Sequence, residues 1–153
     1  INEKKQEDLY MNILSSNKKL LNPCGENITI FHVEEGEEIK KGDFVVANTR
    51  TWLASRPKKQ SGYYSVGRAV EVITYEDGTD IVICKDGIYI MKNSCRHEHK
   101  IIRNNVARAC YFENEDTVSL ENINATRVGE IISVADDGVL VRIDVNEGSG
   151  MQW

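Results

Sequence analysis

The best candidates for metal chemistry are Cys95, His97 and His99, a C-x-H-x-H run. Were the backbone extended there, all three side chains would share one face, because alternate residues of a strand point the same way. A thiolate and two imidazoles suit zinc, which still needs a fourth ligand or a water. No second cluster with ligand spacing exists, so Cys84, Cys110 or His32 would have to arrive through folding. The simpler reading is a polar loop with a buried cysteine, and no metal or other cofactor is expected. Cys110 and His32 would make a nucleophile and a base, though a lone cysteine on an alternating strand is usually core. Glu34, Glu35, Glu37 and Glu38 read as a solvated turn, since acid/base work needs carboxylates in contrasting environments. No G-x-S-x-G, H-E-x-x-H or glycine-rich phosphate loop is present, and catalysis is not expected.

A second set of groups suits binding. Residues 48–65 read as one long loop, and loops of that length are usually functional or disordered. Trp52, Tyr63 and Tyr64 lie in it beside Arg56, Lys58 and Lys59. Aromatics next to cations stack on bases, and the same mixture anchors protein contacts. Residues 44–70 hold no Asp or Glu, but the whole chain carries a formal charge of −5, which favours a protein partner over nucleic acid. A further basic stretch, Lys92, Arg96, Lys100, Arg103 and Arg108, is broken by Glu98 and reads as a solvated edge.

The elements that must hold these groups are strands. A chain of 153 residues with 41% hydrophobic and 28% charged residues has the balance of one globular domain. Its four cysteines, Cys24, Cys84, Cys95 and Cys110, form no C-x-x-C pair and read as reduced, mostly buried thiols. Apolar runs such as 44–47 are too short to span a bilayer, and residues 1–21 lack the apolar core of a signal peptide, so the chain reads as cytoplasmic with no membrane partner. Residues 1–24 form an N-terminal arm in which Leu9, Ile13 and Leu14 would line a short helix, too polar to persist alone. Asn22-Pro23 ends it.

Beyond the arm the apolar period becomes two. Strands are predicted near 28–33 and 43–47, then a hairpin of 66–75 with 79–84 across Glu76-Asp77-Gly78, where glycine would supply a positive φ. Lys85-Asp86-Gly87 is predicted to turn into 88–91. Two more hairpins follow, 107–112 with 117–120, and 128–134 with 139–145 across Asp136-Asp137-Gly138. A Val-Gly step opens the hairpin grammar twice, at Val66 and Val128. The expected fold is all-β, a small β-barrel or β-sandwich built from short hairpins over residues 25–145, with the arm before it and a flexible tail at 146–153.

The order of these segments resembles a known family. Ile39-Lys40-Lys41-Gly42-Asp43-Phe44-Val45, Ser65-Val66-Gly67-Arg68-Ala69 and Asp86-Gly87-Ile88-Tyr89 look like the first half of a capsid cement, or head decoration, protein of tailed bacteriophages. Ala109-Cys110-Tyr111-Phe112-Glu113-Asn114 with Thr117-Val118, Arg127-Val128-Gly129-Glu130-Ile131 and Val139-Leu140-Val141-Arg142-Ile143 are similar to its closing pattern. The resemblance covers roughly residues 25–145, and the segments 48–65 and 95–100 look longer and more polar than the family pattern. It implies a non-catalytic virion protein, made in the host cytoplasm, that binds the major capsid protein on the head exterior and stabilises the shell, often as a trimer. Leu9, Ile13, Leu14, Trp52, Arg56, Lys58, Lys59, Tyr63 and Tyr64 are then the expected contacts with capsid or sister subunit. Two alternatives stand beside it. Glu35-Gly36-Glu37-Glu38-Ile39-Lys40-Lys41-Gly42-Asp43 looks like the turn of biotinyl or lipoyl carrier modules, for which Lys85 is a poor match to the modified lysine. The other is a Cys/His metal-binding enzyme.

Overall fold

The structure, a computed structural model, describes residues 28–84 and 86–144. The arm with Leu9, Ile13 and Leu14, the 24/25 boundary, Lys85 and the tail lie outside the described residues. The described regular structure is nearly all β, as expected, with one short 3-10 turn at Arg103–Asn105. The strands are β1 (Ile28–His32), β2 (Phe44–Asn48), β3 (Ala54–Ser55), β4 (Tyr63–Tyr75), β5 (Gly78–Cys84), β6 (Asp86–Asn93), β7 (Ala109–Phe112), β8 (Thr117–Ser119), β9 (Arg127–Ala135) and β10 (Gly138–Asp144). The first five form a sheet in the order β1-β5-β4-β2-β3, and the last five close a barrel in the order β10-β6-β8-β7-β9. One parallel pair, β6 with β8, helps close the ring; the other pairs are antiparallel. The edge strands of the open sheet meet at one corner, where Val33 bridges Ala54 and the Glu34 amide donates to the Ala54 carbonyl.

Strand β2 explains why its residues form an unbroken apolar run. Val45 and Ala47 enter the core of the sheet with Ile39, Ala54, Val66, Ala69, Ile81 and Ile83. Val46 points the other way, into the barrel core with Met91, Ile101, Cys110, Phe112, Val118, Ile131, Val139, Val141 and Ile143. A strand covered on both faces carries no polar alternation. Around that seam the Phe44 ring meets Tyr89 edge to face at 5.6 Å between centroids, and the Arg68 guanidinium lies over Tyr89 at 5.7 Å. The long strand β4 lies against β9 and β10 as well as in its own sheet. Two register shifts interrupt β4, at Val66 opposite β2 and at Val70 opposite β5. Bulges of this kind bend a strand and increase its twist. Gly67, with φ of 127°, accommodates the first of them.

Three expectations are corrected. Residues 48–65 are not one loop, because β3 lies within them and Tyr63 and Tyr64 already belong to β4. A two-residue strand is too short to show a period, so its Ala54 and Ser55, both fully buried, gave no sign. Second, Asp86 and Gly87 are not part of a turn before a strand at 88–91, because both already lie in β6. β5 pairs with β1 and β4, β6 with β10 and β8, and the chain passes from sheet to barrel between them. Gly87 sits within β6, where a Cβ would fall 2.5 Å from the Tyr89 hydroxyl, so it makes room for that ring. Third, the hairpin turns are Glu76-Asp77 and Asp136-Asp137, since Tyr75 already pairs with Gly78 and Ala135 with Gly138. Neither glycine adopts a left-handed φ.

Candidate functional site

The C-x-H-x-H run does not assemble. After β6 the chain leaves the barrel at Ser94, whose hydroxyl donates to Glu113 at 2.6 Å and accepts the Arg96 amide at 3.1 Å. The His99 amide then closes a turn onto the Arg96 carbonyl at 3.1 Å. A turn breaks the alternation that would have aligned the ligands. Cys95 and His97 are exposed, while His99 turns toward Glu121 at 3.8 Å. Among the described residues no group of three His, Cys, Asp or Glu side chains could hold a metal. The exposure of Cys95 also corrects the expectation of a buried thiol.

Cys110 and His32 are equally separate. Cys110 lies in the barrel core, its thiol directed at the Gly129 carbonyl at 3.8 Å. Burial pushes its pKa up to about 12, against the smaller opposing effects of that hydrogen bond and of Arg127. His32 stands directly opposite Asp80 in the other sheet and bonds its buried carboxylate through Nδ1, while the Tyr75 hydroxyl donates to the second oxygen at 3.2 Å. Native iodoacetamide treatment should therefore label Cys95 and spare Cys110. Peptide mass mapping checks this, and equal labelling of both would contradict the burial.

The aromatic and basic residues are drawn into a shared face. The Asn48 side chain accepts the amides of Arg50 and Thr51 at 2.8 and 3.2 Å, and the Trp52 amide donates to the Asn48 carbonyl at 2.9 Å. This tight loop holds Trp52 at φ 64° with its ring edge-on to Tyr64 and 54% of the residue exposed. Thr49 donates through both amide and hydroxyl to the Gly62 carbonyl at 3.0 Å. Ser61 donates through both groups to the Asn124 side chain, at 3.3 and 3.1 Å, and the Thr126 hydroxyl donates to the Gln60 carbonyl at 2.7 Å. Lys59 reaches the Ile123 carbonyl at 3.1 Å and Glu121 at 3.5 Å. Residues 48–62 of the sheet and 121–126 of the barrel thus form one surface. On it Ile123 is 74% exposed, next to Asn124 at φ 52°.

The expected contact residues divide accordingly. Trp52, Arg56 and Lys58 are exposed, with Arg56 3.6 Å from Glu115. Lys59 is occupied by Glu121 and Ile123. Tyr63 packs against the barrel core and Tyr64 against that of the sheet, where burial raises the Tyr64 pKa to about 12. Both tyrosines therefore serve packing more than display. Glu121, Ile123 and Asn124 went unnoticed because they lie in a short polar stretch remote in sequence from Trp52.

Glu121 is the electrostatic hub of this face. Lys59, Arg96 and His99 surround it, Arg96 donating at 2.9 Å. Desolvation resists its ionisation, but the charges of Lys59, Arg96 and His99 and the Arg96 hydrogen bond outweigh it and lower the pKa from 4.5. A lowered folded-state value contributes stability above the ordinary carboxylate pKa, and that contribution disappears as pH falls through the folded value. Glu121→Gln should therefore lower the melting temperature at neutral pH, and the gap to the wild type should close in acid. Melting curves against pH check this; a gap independent of pH would assign Glu121 no such role.

No family model, curated protein or solved structure matches the chain.

Proposed function

We propose that this protein is a non-catalytic binding module of a larger assembly, a decoration protein on the head exterior of a tailed bacteriophage. The observation that carries the reading is the face of residues 48–62 and 121–126, which displays Trp52 and Ile123 with Arg50 and Lys58. Among the described residues neither cation is paired with a carboxylate. Exposed aromatic and aliphatic anchors beside open cations suit a protein surface bearing carboxylates. Trp52 holds a left-handed φ of 64° there, a conformation that persists only where surrounding contacts fix it. Attachment needs no chemistry, because a ligand of the assembled shell that ignores free subunits shifts the equilibrium toward assembly. The order of the sequence segments supplies the phage assignment.

The test is cosedimentation with undecorated heads of the phage whose genome encodes the chain. The wild type should pellet with heads and saturate. The double change Trp52→Ala and Ile123→Ala should weaken binding at least about tenfold, roughly 1.4 kcal/mol, without changing the melting temperature materially. A wild type that stays in the supernatant would end the phage reading. Unchanged occupancy by the double variant would move attachment away from this face.

A further inference from the structure

The outer face of the open sheet is not built for water. Alternation along β5 sends Ile81 and Ile83 into the core of the sheet and Val82 to the opposite face. Cross-strand register places Ile28 and Ile30 of β1 and Ile73 and Tyr75 of β4 on that same face. Where such a face meets solvent it is normally polar. Here Val82, Ile28 and Ile73 are only 1%, 6% and 8% exposed and cluster with Val70 and Tyr75. All five belong to β1, β4 and β5, and among the described residues no hydrophobic side chain of the barrel joins them. Toward one end the face turns polar at Asp80, whose buried carboxylate is bonded by His32 and Tyr75. An apolar sheet face takes a second layer, and the described residues supply no apolar one.

We propose that the chain's own N-terminal arm is that layer, an amphipathic helix within residues 4–21 that folds back over β1, β5 and β4. Two features select it over a separate protein. The arm joins the sheet at the cluster itself, because Ile28 is both the first described residue and one of the buried isoleucines. Residues 23–27 reach about 17 Å when extended, more than the roughly 10 Å across three strands. A tether this short gives the arm a local concentration on the order of millimolar, which any free partner has to exceed. The arm's pattern is the second feature. At 3.6 residues per turn, Leu9, Ile13, Leu14, Leu20 and Leu21 fall within an arc of about 140°, and every Lys, Glu and Asp from Lys4 to Lys19 falls outside it. Such a helix is marginal by itself, and packing on an apolar face supplies the stability it lacks. Leu9, Ile13 and Leu14 then serve the chain's own sheet and not a capsid or a sister subunit.

Photo-crosslinking of the full chain, paired with thermal melts, is the experiment. With Leu14→p-benzoylphenylalanine, irradiation of dilute protein should join position 14 to peptides of β1, β4 or β5 within one chain, leaving a product at the monomer mass of 17.3 kDa. Ile13→Asp should lower the melting temperature by at least about 3 °C, because a carboxylate would be pressed against apolar groups. Lys18→Ala, on the solvent side of the helix, should melt like the wild type. Links to barrel peptides, links only between chains, no link at all, or an Ile13→Asp melt equal to that of the wild type would each overturn the proposal. Head binding enters neither readout, so this result and the phage reading stand or fall separately.

Discussion

Replacing Gly129 by alanine is expected to destabilise the protein at or beyond the upper end of the roughly 1–3 kcal/mol typical of overpacking. Gly129 lies in β9 between β7 and β10, where its carbonyl faces the Cys110 thiol. A Cβ built there would fall 2.0 Å from the Arg142 carbonyl oxygen, 2.9 Å from its carbon and 3.2 Å from the Ile143 Cα. All three are backbone atoms of β10, so no side-chain rotation relieves the clash. Strand β10 would have to move, and it carries Val139, Val141 and Ile143 of the barrel core. For a chain of this size, 3 kcal/mol corresponds to a fall in melting temperature of about 6–12 °C. Gly78→Ala is the control: nothing lies within 4 Å of its Cβ position, and its backbone is not left-handed. Thermal melts of the two variants check the contrast, and similar melting temperatures would mean that β9 and β10 do not approach as described.

Phe112→Ala should cost about 3–5 kcal/mol, the range for removing a large aromatic from a core. Phe112 is fully buried and is the largest of the fully buried side chains. It stands on β7 opposite Val118 of β8 and packs with Met91, Ile101, Val128 and Ile131 in the barrel core. Its amide also donates to the Thr126 carbonyl at 2.9 Å, beside the stretch that forms the candidate binding face. The loss is a large part of the 5–15 kcal/mol total of an ordinary domain. Denaturant titration should show a lower midpoint with unchanged slope, the signature of altered stability in a cooperative unit. A second transition would instead mean that the sheet survives loss of the barrel. A midpoint equal to that of the wild type would place Phe112 outside the core.

Part of the candidate face was legible in the sequence. Trp52, Arg56 and Lys58 stand exposed, as a polar segment with anchor-type residues suggests. Tyr63 and Tyr64 have the same composition but belong to a strand with packing on both sides, and composition does not reveal which neighbours a side chain will meet. Ile123, the most exposed large hydrophobic described, lies far along the chain from Trp52 and joins it only because Ser61 and Lys59 bond across the gap.

The all-β class and the pairings β4 with β5, β7 with β8 and β9 with β10 were determined by the sequence alone, because a period of two flanked by turn residues is local information. The division into an open sheet and a closed barrel was not. That depends on long-range pairs such as β10 with β6 and the parallel pair of β6 with β8, for which no local pattern exists. The glycines illustrate the same limit. Gly78 and Gly138 follow identical Asp-Gly steps, yet Gly78 faces open space while a Cβ at Gly138 would meet the Met91 carbonyl at 2.8 Å. Gly67 and Gly129 follow identical Val-Gly steps, yet the first serves a bulge and the second a close approach of two backbones. Chemistry at Cys95, His97 and His99 turned on the backbone path after β6, which the Ser94–Glu113 bond between distant segments sets. A residue's type and local spacing specify what it can do; the strand on the far side of the fold decides whether it meets a partner there.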